Sequence, residues 1–129
     1  MMTVGIVVVS HSPELAAGTA ALAREMAADS VEIIPVGGDP HGGLGTDEGA
    51  VRSALAHADS GEGVVVVADL GSSLLTVRQA LESRANNGVR LADAPIVEGA
   101  VAAAVMSSAG RPLDEVLSAA EETRGANKL

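Results

Sequence analysis

Two residues far apart in the sequence have the types and settings to do chemistry together. His11 follows the apolar run Gly5-Ile6-Val7-Val8-Val9 and Ser10, and Asp69 follows Val64-Val65-Val66-Val67-Ala68. An uncharged run rich in β-branched valine reads as a strand buried on both faces. Each polar residue then precedes a helix start, Ser12-Pro13-Glu14 in the first case and Gly71-Ser72-Ser73 in the second. Ser12 suits an N-cap, Pro13 the first helical turn, and Glu14 the positive end of the helix dipole. In an open α/β sheet, ligands and reacting groups gather at the carboxyl ends of strands. Free N–H groups at a helix start suit a phosphate or another anion. A carboxylate bonded to one ring nitrogen would fix the tautomer of His11 and leave the other nitrogen an oriented nucleophile or base. Such a nucleophile is well placed to hold a phosphoryl group. Gly71 permits close backbone approach, and Ser72 or Ser73 can donate to Asp69 or to a phosphoryl oxygen. Taken singly, Asp69 also reads as a helix cap and His11 as a turn residue. The matched strand ends are what favour chemistry.

The elements that must position this pair follow from periodicity. Pro13 to Ala28 reads as a helix with the stripe Leu15, Thr19, Leu22 and Met26. Val31 to Val36 is a short strand, and Pro35 places it at a sheet edge. Gly37 to Gly45 is too glycine-rich for regular structure. Thr46 is the expected cap of a helix running to Ala58, with Val51, Ala54, Leu55 and Ala58 inward. After the second valine run, a helix over Ser72 to Ala85 carries Leu74, Val77, Leu81 and Ala85 on one face. Asn86-Asn87-Gly88 marks a turn and Val89-Arg90-Leu91 a short strand. Pro112 opens a last helix, with Asp114 and Glu115 in its first turn and Gly125 past its end. Alternating strands and helices predict an α/β fold of three layers, α/β/α, around a central, mainly parallel sheet. Right-handed crossovers and two long central strands predict the order 2-1-3-4, which brings His11 and Asp69 into one crevice. Residues 1–124 are expected to form a single domain, with 125–129 a frayed tail.

Pro95 to Ala109 is apolar at nearly every helical angle, with Glu98 its only charge. One flank of a sheet covers only part of such a helix, which predicts a homodimer built on this segment. Alanines 100, 103 and 104 would let a second helix approach closely. The rival expectation is that Leu113, Val116 and Leu117 fold back and cover the patch within the chain.

Composition removes several function classes. Phe, Trp and Tyr are absent, so there are no rings for stacking sugars or bases. The net charge of −9 opposes nucleic acid and anionic membranes and suits a partner with a basic face, besides aiding solubility. Cysteine is absent, which excludes thiolate chemistry and disulfides and makes the cytoplasm the default location. No apolar stretch reaches the ~18 residues of a membrane span, and no signal-peptide pattern opens the sequence. His41 reads as a solvated loop residue beside Asp39, with a metal or substrate contact as the alternative, and His57 as a solvated helix residue. Three scattered histidines do not make a zinc site, and no metal or other cofactor is expected. The glycine loop lacks the Gly-Lys-Ser/Thr ending of a P-loop, and no Gly-x-Ser-x-Gly elbow occurs.

Four stretches together resemble one family. They are Val7-Val8-Val9-Ser10-His11-Ser12, Gly42-Gly43-Leu44-Gly45-Thr46, Asp69-Leu70-Gly71-Ser72 and Ala94-Pro95-Ile96-Val97-Glu98-Gly99-Ala100. In this order, over nearly the whole chain, they look like the phosphocarrier (IIA-like) subunits of PTS-dependent dihydroxyacetone kinases, the DhaM family. That fold is the mannose-type EIIA domain of the sugar phosphotransferase system. The resemblance implies that His11 accepts a phosphoryl group from the histidine-containing phosphocarrier protein. It would then pass the group to ADP on the nucleotide-binding kinase subunit. It also implies Asp69 as the orienting carboxylate, Ser12, Thr46, Gly71 and Ser72 near the phosphoryl group, and a dimer. Two alternatives stand beside it: a mannose-type sugar EIIA domain, and a receiver-like regulatory domain phosphorylated on Asp69. Receivers need an acidic pair after the first strand to hold Mg²⁺, where this chain has Ser10-His11.

Overall fold

Both valine runs form central strands, and every other element is arranged around them. The computed structural model describes residues 2–82 and 88–129. Its elements are β1 (Gly5–Ser10), α1 (Pro13–Met26), β2 (Ile33–Gly37), α2 (Glu48–Ala58), β3 (Val64–Ala68), α3 (Gly71–Glu82), β4 (Val89–Leu91), α4 (Ile96–Ser108) and α5 (Leu113–Glu122). A 3₁₀ turn at Thr123–Gly125 follows. The end of the predicted third helix, 83–85, and the predicted Asn86-Asn87 turn lie outside the described residues.

The sheet order is β2-β1-β3-β4, and all three ladders are parallel. The predicted order and three-layer class are therefore those of the structure. All six residues of β1 and all five of β3 are buried. Ile6 and Val8 face the layer formed by α1, α4 and α5, while Val7 and Val9 face α2 and α3. Each fully buried valine contributes roughly 1.5–3 kcal/mol relative to exposure, which lets an aliphatic core hold the sheet without aromatic residues. Pro35 lies on the edge strand, opposite Val8. That strand begins at Ile33 rather than Val31, because the Val31 N–H closes a turn on Ala28 O at 3.1 Å. No helix among the described residues is long and apolar enough to cross a membrane.

Two faces differ from expectation. On α1 the buried residues are Ala16, Thr19, Ala20 and Ala23, whereas Leu15, Leu22 and Met26 are exposed. Small side chains let α1 lie close to the sheet, and the larger ones are turned outward. On α4, Ala100, Ala103 and Ala104 are fully buried and pack with Val116 and Ala120 of α5. The alanines expected to receive a second copy are thus covered within the chain, by the fold-back of the last helix. Ser107 Oγ, also buried, donates to Val4 O at 2.5 Å and ties α4 to the start of β1. In the tail, expected to fray, Lys128 Nζ lies 2.6 Å from Glu98, and just before it Arg124 pairs with Asp93. Both are surface pairs, which contribute little to stability.

Candidate functional site

Parallel register sets Val9 opposite Ala68, and the Asp69 N–H donates to Val9 O at 3.2 Å. Immediately beyond, β1 turns into α1 on one face of the sheet and β3 into α3 on the other. His11 and Asp69 therefore stand together at a topological switch point.

The Asp69 carboxylate is a hub. It accepts from Ser10 Oγ at 2.6 Å, from the Leu70 N–H at 2.7 Å and from the backbone N–H of His11 at 3.2 Å. The expected bond to the His11 ring is absent. Asp69 lies one residue beyond the ladder, and its side chain meets the His11 main chain instead. Partial burial by itself raises the Asp69 pKa. The hydrogen bonds from Ser10, Leu70, Ser73 and His11 outweigh it and hold the carboxyl below its ordinary value. His11 is half-buried; its Nδ1 is buried without a hydrogen-bond partner, while Nε2 is neither bonded nor buried.

Ser10 is the site residue that sequence reasoning missed, and Ser73 is the buried one of the two serines expected to donate at the start of α3. Ser10 is fully buried and, besides donating to Asp69, accepts the Ser12 N–H at 3.0 Å. Ser73 is fully buried and shares a 3.0 Å hydrogen bond with Thr46 Oγ1, whereas Ser72 is exposed. Thr46 is not the cap of α2; Asp47 is, accepting the Gly49 N–H at 3.0 Å. Ser12 caps α1, accepting the Leu15 N–H at 3.2 Å, and donates to Glu14 at 3.1 Å. Gly71 begins α3 in the open, and the first backbone bond of that helix runs from Leu74 N–H to Leu70 O. The N–H groups of Gly71, Ser72 and Ser73 thus stand at the helix start, where intrahelical acceptors are lacking.

The glycine loop braces the same point. Gly45 N–H donates to His11 O at 2.8 Å. Asp39 Oδ1 accepts the N–H groups of His41 and Gly43 at 2.9 and 2.8 Å, so this carboxylate orders its own loop. His41 and His57 are exposed, and His57 Nδ1 bonds Ser53 O within α2. Gly37 packs against the start of α1: a Cβ there would lie 2.7 Å from Ser12 O and from Pro13 Cα. Among the described residues no group of three His, Asp or Glu could hold a metal ion.

Comparison with known proteins adds a family to this geometry. Residues 5–117 match the EIIA-man family model, described as PTS system fructose IIA component. The chain is similar to the PEP-dependent dihydroxyacetone kinase phosphoryl donor subunit DhaM of Escherichia coli K12, 40% identical over 88% of this chain. It spans only 25% of that relative's length. It is also similar to the dihydroxyacetone kinase 2 DhaM subunit of Listeria innocua, 36% identical over 81% of this chain and 86% of that one. The crystal structure of EF1359, a protein of unknown function, has a TM-score of 0.88 at 30% identity, covering 99% of each chain.

Proposed function

The chain belongs to the EIIA-man family, and from that premise we propose that it is a phosphoryl carrier with His11 as its phosphohistidine. The observation that carries this reading is the Ser10-Asp69-His11 cluster at the ends of adjacent parallel strands, with Nε2 of His11 left unbonded. Nε2 attacks the incoming phosphorus in line, and the donor's N–P bond breaks as the new one forms. Nδ1 retains its proton, so the phosphorylated ring carries positive charge. The ionised Asp69 carboxylate, on the adjoining strand end, stabilises that charge and clamps the His11 main chain. The N–H groups at the start of α3, with Gly71 and Ser72 exposed there, face anionic oxygens favourably.

The donor in this reading is the histidine-containing phosphocarrier protein of the PEP-dependent system. The acceptor is ADP on the nucleotide-binding subunit of a dihydroxyacetone kinase, which makes the chain a phosphotransferase subunit acting in the cytoplasm. The names of the similar proteins support that assignment. Phosphorylation of Asp69 itself has less support, because its carboxylate is already bonded to Ser10, His11 and Leu70. The homodimer belongs to the same proposal, with its surface moved to the exposed Leu15, Leu22 and Met26 of α1 and Val105 of α4. The test is labelling from phosphoenolpyruvate, enzyme I and the phosphocarrier protein. His11→Ala should abolish it, while His41→Ala and His57→Ala keep the wild-type rate. Wild-type labelling of the His11 variant overturns the proposal.

A further inference from the structure

Among the described residues of this acidic chain, charge pairing leaves one cation over. Arg24 donates to Ile33 O, Arg52 pairs with Glu48, and Arg90 donates to Val89 O. Arg111 pairs with Glu115, Arg124 with Asp93 and Lys128 with Glu98. Among the described residues, Arg78 alone of the lysines and arginines has no acceptor. It projects from α3 into a cleft of about 570 Å³ between that helix and the end of β4, within the size range of small-ligand sites. The walls include Leu74, Leu81 and Leu91, and Asp69 forms part of the lining.

The two carboxylates of this cleft are already engaged. Asp69 accepts from Ser10, His11 and Leu70, and Asp93 pairs with Arg124. The guanidinium is therefore uncompensated, in a chain with seventeen acidic residues that offers many potential partners. Arg78 is exposed and shares the cleft lining with Leu74, Leu81 and Leu91, so its guanidinium is open to an arriving anion. A planar guanidinium suits phosphate oxygens in a two-pronged contact.

The position of Arg78 selects its target. The order β1-β3-β4 puts His11 on one side of Asp69 and the Arg78 cleft on the other. Strands lie about 4.8 Å apart. A phosphoryl group on His11 sits at the β1 end, and an acceptor approaching it from the β4 side crosses β3 and meets the Arg78 cleft. We infer that Arg78 binds the phosphate oxygens of the acceptor, a nucleoside diphosphate presented by the partner subunit. This rests on the phosphocarrier reading of His11. In the step it serves, a terminal oxygen of the diphosphate forms a bond to phosphorus as the His11 N–P bond breaks. The ring nitrogen recovers the electron pair of that bond, Nδ1 keeps its proton, and the nucleoside triphosphate forms. Arg78 holds the acceptor before and during transfer, so its loss weakens binding more than turnover.

The experiment separates loading from discharge. Wild type, Arg78→Ala and Arg78→Lys are first labelled from phosphoenolpyruvate through the phosphocarrier protein, then mixed with increasing acceptor subunit carrying the nucleoside diphosphate. Loading of Arg78→Ala should match wild type. Its KM for the loaded acceptor should rise about ten- to a hundredfold, the loss expected for a charge-assisted hydrogen bond, with kcat nearly unchanged and Arg78→Lys intermediate. Titration with the nucleotide-free subunit should show equal affinity for wild type and Arg78→Ala. Wild-type discharge by the alanine variant overturns the inference. So does a parallel loss of loading and discharge, or weakened binding of the empty subunit, which would assign Arg78 to a protein carboxylate. Failure of the wild type to load would instead remove the phosphocarrier reading and this inference with it.

Discussion

Replacing Ser10 by alanine removes two hydrogen bonds at once. Ser10 Oγ donates to Asp69 at 2.6 Å and accepts the Ser12 N–H at 3.0 Å. A hydrogen bond to a charged group contributes about 1.5–3 kcal/mol net. Asp69 and Ser12 are only half-buried, so water can reach both after the change. Asp69 also keeps its bonds from His11 and Leu70. These facts place the destabilisation near the lower end, about 1.5–2 kcal/mol, which for a chain of this size lowers Tm by roughly 5–10 °C. The Asp69 pKa should rise, since the largest favourable contribution to its ionised form is gone. The same change loosens the clamp on the His11 main chain, and misplacement of a reacting group by about 1 Å can cost 10²-fold in rate. Urea unfolding gives the stability change, and the initial rate of label transfer from the phosphocarrier protein, per folded molecule, gives the chemistry. Unchanged stability would show that the Ser10-Asp69 bond is not made in solution. Lost stability with a wild-type labelling rate would show that the clamp does not position His11.

Three further outcomes follow from the same geometry. Asp69→Asn should retain the fold by circular dichroism and slow phosphoryl transfer by ~10²–10⁴-fold. Because the folded-state pKa of Asp69 is depressed, its contribution to stability is present above the unfolded carboxyl pKa and is lost as pH falls through the folded one; thermal melts in acid should show a shallower decline for Asp69→Asn than for wild type. Gly37→Ala forces a Cβ to 2.7 Å from Ser12 O and should cost ~1–3 kcal/mol in urea unfolding, with slower labelling of His11. Sedimentation equilibrium at micromolar concentration should give about twice 12.7 kDa for the wild type, and Leu22→Glu or Val105→Glu should return it to the monomer mass; a monomeric wild type refutes the dimer.

Valine content made the architecture readable; helix phase was readable in α2, whose expected inward residues Val51, Ala54, Leu55 and Ala58 are the buried ones, and not in α1 or α3. A strand of Val7, Val8 and Val9 has no other environment to suit it than a two-faced core, and right-handed crossovers then fix the order 2-1-3-4. That order alone put His11 beside Asp69. The third helix shows the limit. Counting large apolar residues selects Leu74, Val77 and Leu81, yet Ser73, Val77 and Ala80 are the buried set. A serine hydrogen-bonded within the site holds an inward position that hydropathy assigns outward. The same substitution of small for large explains α1, where alanines meet the sheet and leucines face out. Ser10 carries a faint signal of its own, a hydroxyl in the continuous phase of a buried strand, where an unpaired polar group is costly. Whether Asp69 meets the ring or the main chain of His11 depends on a difference of one residue in strand exit, which no periodicity encodes.

The chemical nature and location of the phosphoryl group test the central claim most directly. The wild-type protein should be labelled from phosphoenolpyruvate through enzyme I and the phosphocarrier protein, digested at neutral to alkaline pH, and mapped by mass spectrometry. One phosphoryl group, stable to base, labile to acid and borne by the peptide containing His11, is the predicted result. A base-labile acyl phosphate on Asp69, label on His41 or His57, or no label at all would contradict it.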